Sequence, residues 1–222
     1  MDIYIKKAIS IKKADEKINL IVVLFGVVLT LFITLIMKED SKIEPFLFGR
    51  TMCAIMALMY VSLNMFAKVM LMTEEVTRAL SFGITRRELF VISRIVELLE
   101  IIVFALPAFI FVNDRVGMIL KLIALCFGIF MWIEGLAGNN VIRYGKIAYW
   151  IYYFVLISAI MGVSRLVEII PQLGMISSGI TSSVVNSGPN QFYVWCVILF
   201  FDIVGMMVNW LTFRRIPVNY SV

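Results

Sequence analysis

Residues 74–90 read EEVTRALSFGITRRELF and separate two long apolar runs. Their order of residue types is that of a helical corner. Gly83 supplies the left-handed backbone that ends a helix. Thr85-Arg86-Arg87-Glu88 fits the S/T-x-x-E capping box, in which the Thr85 hydroxyl accepts from the Glu88 amide and the Glu88 carboxylate accepts from the Thr85 amide. Ile84 and Leu89 fall at the two positions of a hydrophobic staple. The pattern predicts a short helix near Glu74–Ser81, a turn at Gly83, and a second helix that starts after Thr85 and continues into the next apolar run. Such a corner is stiff, since each cap contributes about 1 kcal/mol.

The surroundings of the corner settle the class of protein. The chain has 222 residues, of which 62% are hydrophobic, and a mean hydropathy of +0.98. Soluble domains lie near 45–50% apolar. A spanning helix needs about 20 mainly apolar residues. Six runs meet that requirement, roughly Asn19–Met37, Phe46–Met72, Ile95–Val112, Gly117–Ala137, Ile147–Ser164 and Gln191–Phe213. The first run is longer than the apolar part of a signal peptide, and MKEDSK after it offers no small-residue cleavage site. The expected fold is an all-α integral membrane protein forming one domain over residues 1–222: an interfacial helix over 1–18, a six-span bundle over 19–213 and a tail over 214–222.

The basic residues are unequally divided between the two ends of these spans. Lys6, Lys7, Lys12, Lys13 and Lys17 precede span one, and Arg78, Arg86, Arg87 and Arg94 lie between spans two and three. Arg143 and Lys146 follow span four; Arg214 and Arg215 follow span six. The opposite side holds Lys38, Lys42, Arg50, Arg115, Lys121 and Arg165. The positive-inside rule then places both termini and the corner in the cytoplasm. It also accounts for the net charge of +5 without nucleic acid as a partner. At 100° per residue Met1, Tyr4, Ile5, Ala8, Ile9 and Ile11 gather on one side of the first segment, with Lys6, Ser10, Lys13 and Lys17 opposite. That is the pattern of an amphipathic helix lying in the headgroup layer; a basic tail obeying the positive-inside rule is the alternative.

Charges at membrane depth are costly, at about 2.5–3.5 kcal/mol each on insertion scales. Lys68 falls near the cytoplasmic end of span two, and Glu97 and Glu100 near the same end of span three. The predicted arrangement is an ion pair of Lys68 with one of these carboxylates; the alternative is that all three snorkel to the interface. Glu134 is expected to snorkel. Asp202 sits near the middle of span six with Asn209 close to its face and no basic residue at its depth. It is read as facing a water-filled cavity or a dimer seam, or as a neutral buried acid, with Ser62 and Asn64 of span two as further lining residues or helix–helix hydrogen-bond donors. Pro107 is expected to kink span three.

Several chemistries are excluded at this point. With no histidine in the sequence, Ser-His-Asp triads, Cys-His pairs and histidine metal sites are ruled out. Cys53, Cys126 and Cys196 lie singly within apolar runs and have no metal-ligand spacing. No catalytic and no metal-binding residue is assigned. EEVTR resembles the Glu-Glu-x-x-x-Arg of intramembrane CAAX-type proteases, but it is one residue short, and that family also needs histidines. No G-x-x-x-x-G-K-[ST] phosphate loop is present, so this chain carries no ATP site of that kind.

The order of amphipathic helix, span, outer loop, span, cytoplasmic corner with SFGITRRELF, and span resembles the permease subunit of ABC-2 type exporters. FGITRRELF is similar to that family's recurrent Gly, hydroxyl residue and paired basic residues before an aromatic-containing helix. The resemblance implies an elbow helix matching residues 2–17 and a coupling helix between spans two and three. Glu74, Glu75, Arg78, Phe82, Gly83, Thr85, Arg86, Arg87 and Glu88 are the positions implied to couple to an ATPase. It further implies a dimer with a second permease copy or paralogue, ABC ATPase subunits that hold ATP and magnesium, and a bacterial plasma membrane location. A chain this short resembles exporters of amphipathic or antimicrobial peptides. Short re-entrant helices within residues 165–190 are also implied; a plain loop is the alternative. Without the resemblance the corner reads equally as a well-capped helical hairpin with solvated charges, and the chain as a non-transporting immunity or sensor-associated partner.

Overall fold

The computed structural model describes residues 13–37, 45–81, 83–112, 115–169, 171–185 and 191–216. The described residues form seven helices: α1 (Lys13–Met37), α2 (Pro45–Ser81), α3 (Arg86–Phe111), α4 (Val116–Tyr144), α5 (Lys146–Ile169), α6 (Pro171–Val185) and α7 (Gln191–Phe213). Three stretches are long and apolar enough to cross a bilayer, Gly49–Val69, Val116–Tyr144 and Gln191–Phe213, and Asn19–Phe32 and Ile147–Ala159 are shorter apolar helical stretches. Large apolar side chains are turned outward along the bundle, among them Phe32, Ile110, Phe154 and Phe200. That is the expected surface of a helical protein bathed in lipid.

α4 is the centre of the bundle. It packs against α2, α3, α5, α6 and α7, and its longest contact is with α7. That seam is tight because small residues line it. A Cβ placed on Gly135 would lie 2.9 Å from the Asn209 backbone nitrogen, and one on Gly205 would lie 2.9 Å from the Trp132 ring. Such close backbone approach replaces the hydrophobic drive that helices in lipid lack. Two side chains lock the register: Thr212 Oγ1 donates to the Gly135 carbonyl at 2.7 Å, and Trp132 Nε1 donates to the Phe201 carbonyl at 3.1 Å.

The helix bounds correct the expected layout at two places. First, no separate coupling helix stands at Glu74–Ser81: α2 runs unbroken for 37 residues, Pro45–Ser81. Nothing between Leu71 and Ser81 breaks a helix, and Met, Glu, Leu, Ala and Arg propagate one. Second, the boundary expected at residue 18 between elbow and span does not appear. Residues 1–12 of the elbow reading lie outside the described residues, and Lys13–Ile18 is continuous with α1. Within residues 165–190, where short re-entrant helices were implied and a plain loop was the alternative, α5 extends to Ile169 and α6 occupies Pro171–Val185. At 15 residues α6 is about 22 Å long, too short to cross a hydrocarbon core. Pro107 is accommodated inside a continuous α3.

Candidate functional site

Two regions collect the polar residues of interest. The first is the corner. α2 closes on Gly83 at φ +76°, with the Gly83 amide donating to the Leu80 carbonyl at 3.0 Å and the Ile84 amide to the Ala79 carbonyl at 3.2 Å. These are the paired bonds of a Schellman motif. Two residues on, the capping box is complete: the Glu88 amide donates to Thr85 Oγ1 at 3.3 Å, and the Thr85 amide donates to Glu88 Oε2 at 3.2 Å. Ile84 and Leu89 are buried together with Val76, Ala79, Phe213 and Ile216. The staple is therefore part of a larger apolar clamp that holds the corner against the end of α7. Phe90 adds edge-on contacts to Trp210 at 5.1 Å and to Phe213 at 5.3 Å. The Arg86 guanidinium donates to the Arg214 carbonyl, so this arginine turns back on the bundle. Thr85, Arg87 and Glu88 are exposed. The Glu74, Glu75 and Arg78 side chains and Phe82 lie outside the described residues.

The second region is a buried charge network about one to four turns into the bundle. Lys68 of α2 lies 3.5 Å from Glu100 and 3.9 Å from Glu97, both on α3. Its ammonium also sits 4.9 Å from the centre of the Phe130 ring on α4, a favourable cation–π placement. Arg94 Nη1 lies 2.8 Å from Glu97 Oε2 in a charge contact off the N–H axis. The same nitrogen donates to Glu134 Oε2 of α4 at 2.5 Å. Asn209 of α7 donates to that Glu134 oxygen at 2.9 Å. Arg94, Glu97, Glu134 and Asn209 are each no more than 6% exposed. One network thus ties α2, α3, α4 and α7 together.

Two expectations change here. Arg94 was counted among the loop cations, yet it is buried. Glu134 was expected to reach the interface, yet it is 1% exposed. The cause is the same for both: each supplies the counter-charge that makes burial of the other tolerable, because an unpaired ion in this medium is costly. The sequence held a partial signal, since Arg94 precedes Glu97 by three residues on one helix. The third partner, Glu134, has no such local clue.

Asp202, Asn209, Ser62 and Asn64 do not share one space. Asn64 is turned to α1, donating to Asn19 Oδ1 at 3.3 Å and to the Tyr60 carbonyl at 2.9 Å. Ser62 is half-buried on the same helix. Asn209 belongs to the charge network. Asp202 is packed over Gly128 in the α4–α7 seam, and its Oδ1 has no hydrogen-bond partner among the described residues. The reason is pitch: Asp202 and Asn209 follow the α7 stripe that faces α4, whereas Asn64 follows the α2 stripe that faces α1.

The described cavity lies elsewhere and is almost wholly apolar. It has a volume of about 550 Å³ and is walled by Leu125 and Ile129 of α4, Ile180 and Val184 of α6, and Val194, Ile198 and Phe201 of α7. Buried Lys121 braces its α6 wall, donating to the Ser183 carbonyl at 3.3 Å and the Val184 carbonyl at 3.1 Å. These are terminal helix carbonyls that lack intrahelical partners. Among the described residues no group of His, Cys, Asp and Glu is placed to hold a metal ion, and Cys53, Cys126 and Cys196 are free thiols. No known protein family, curated protein or solved structure matches the chain.

Proposed function

We propose that this chain is the permease subunit of an ATP-driven exporter of the ABC-2 kind, working as a dimer with separate ATPase subunits in a bacterial plasma membrane, with both termini and the corner cytoplasmic. In this reading the chain performs no bond chemistry. ATP and magnesium belong to the ATPase, and the cargo is an amphipathic peptide or another hydrophobic compound that suits apolar walls. The reading keeps six membrane crossings and an interfacial first segment.

The observation that supports it most is the mechanical continuity of the corner. A push on exposed Arg87 or Glu88 meets a turn fixed by a Schellman motif and a capping box. The turn is clamped through Ile84 and Leu89 to Phe213 and Ile216 at the end of α7. α7 in turn lies along α4 over its glycine seam, and the Lys68–Arg94–Glu134 network ties α2 and α3 to α4. A displacement at the corner is therefore delivered to several helices at once. Tightly packed elements of this kind move as bodies. A mere connector between two spans needs neither the caps nor the clamp.

The test is co-expression with a candidate ATP-binding cassette subunit from the same organism, followed by ATP hydrolysis and cargo uptake in inverted vesicles. The parent complex should couple hydrolysis to uptake. Gly83→Val, which forces a branched residue into the left-handed region, should insert normally and lose most uptake while the ATPase still turns over. Normal uptake by Gly83→Val would reduce the corner to a turn. An uptake-inactive complex whose ATPase ignores this chain would favour the immunity or sensor-associated reading.

A further inference from the structure

We infer that the corner and the end of α7 together form a site for the phosphate of an anionic phospholipid, in the leaflet on the corner's side of the membrane. Four arginines are brought to one end of the bundle from segments far apart in sequence: Arg86 and Arg87 at the start of α3, Arg214 and Arg215 in the turn after α7. Their meeting is held in place, because Arg86 donates to the Arg214 carbonyl across 128 residues, and the Ile84–Leu89–Phe213–Ile216 cluster packs beneath. None of the four has a carboxylate in ion-pair reach among the described residues. Glu88, the acid nearest in sequence, is engaged in capping Thr85. Arg87, Arg214 and Arg215 are exposed.

The depth of this patch selects a lipid as occupant over an acidic protein surface. α3 has 26 residues and α7 has 23, so they are about 39 and 35 Å long. Both lengths exceed the hydrocarbon core of about 30 Å and stay within the bilayer with its headgroups, about 40–45 Å. The arginines that begin α3 and follow α7 therefore lie in the headgroup layer. Half-buried Trp210 stands beside them, in ring contact with Phe90, and tryptophan is a residue type enriched at membrane interfaces. The α3 N-terminus adds positive partial charge, and guanidinium forks suit phosphate oxygens. Clusters of four or more basic residues at a span end recognise anionic lipids. The positive-inside rule explains the side on which each arginine falls; it does not explain why two distant pairs are held together with no counter-ion among the described residues.

This inference does not depend on an ATPase partner, and its test uses the purified chain alone. A variant with Trp132, Trp150 and Trp195 replaced by Phe leaves Trp210 as the reporter. Its quenching is compared in vesicles of brominated phosphatidylglycerol and brominated phosphatidylcholine. The parent should prefer phosphatidylglycerol by well over tenfold at low salt, with the preference falling as salt rises. Arg87→Gln, Arg214→Gln and Arg215→Gln, which leave the Arg86 clamp intact, should each reduce that preference roughly fivefold. Arg143→Gln, an exposed arginine at the end of α4, should change it little. A second measurement, retention of phosphatidylglycerol by the Trp-containing parent in native mass spectrometry, covers loss of fold in the reporter variant. The inference is overturned by equal quenching in the two lipids, by a preference that the three substitutions leave untouched, or by an equal fall with Arg143→Gln. An acidic ATPase surface as the patch's only ligand would also overturn it.

Discussion

Replacing Arg94 with methionine is the sharpest perturbation of this structure. Methionine fills much of the same volume and removes only the guanidinium. Arg94 Nη1 serves two carboxylates, Glu134 at 2.5 Å and Glu97 at 2.8 Å. Without it Glu134 keeps, among the described residues, only the Asn209 amide as a donor, and Glu97 keeps Lys68 at 3.9 Å. Breaking a buried ion pair from one side costs about 3–5 kcal/mol, since the abandoned charge stays buried. The net loss should lie near the lower end, about 3 kcal/mol, because Lys68 and Asn209 remain. The assay is equilibrium unfolding of the purified chain in mixed micelles, followed by tryptophan fluorescence. The decisive comparison is the cycle with Glu134→Leu. The double variant should be more stable than Arg94→Met alone, because removing both charges restores an apolar contact, and the coupling should be about 1–3 kcal/mol. An Arg94→Met cost below about 1 kcal/mol, with additive behaviour in the cycle, would refute the view that this network holds α3 to α4.

Two further outcomes follow from the backbone. Gly135→Ala should destabilise by about 1–3 kcal/mol, because the new Cβ meets the Asn209 backbone at 2.9 Å, whereas Gly162→Ala, with nothing within 4 Å, should be neutral or stabilising by up to about 1 kcal/mol; the same unfolding assay separates them, and equal effects would contradict the tight seam. Thr85→Ala and Glu88→Ala should each cost about 1 kcal/mol, and their double variant less than the sum, since each removes bonds made by the other; amide exchange at residues 85–89 reads this directly.

The corner was legible because its determinants are local. Gly83, Thr85 and Glu88 act over three to five residues of chain, so their order alone specifies the Schellman turn and the capping box. The apolar character of the helices was legible for a similar reason, since composition within one segment decides transfer to lipid. The break expected before Glu74 failed because charge was read as a boundary, while helix propagation depends on backbone and propensity, and Met72–Ser81 contains no breaker. At Pro171–Val185 the glycines and hydroxyl residues left helix and loop both open, and the helix packs against α4 and α5, where tertiary contact overrides weak local propensity.

By itself, then, the sequence determined where apolar helices form and how one corner is capped, because those choices are made within a turn or two of chain. Only the tertiary structure decided which helices become neighbours. That choice moved Arg94 and Glu134 from the rim into a buried network, took Asn64 away from Asp202, and brought Arg86 onto the carbonyl of Arg214. The physical reason is that a buried charge or a close glycine seam is stabilised by a partner from another segment, and no pattern along one segment names that partner.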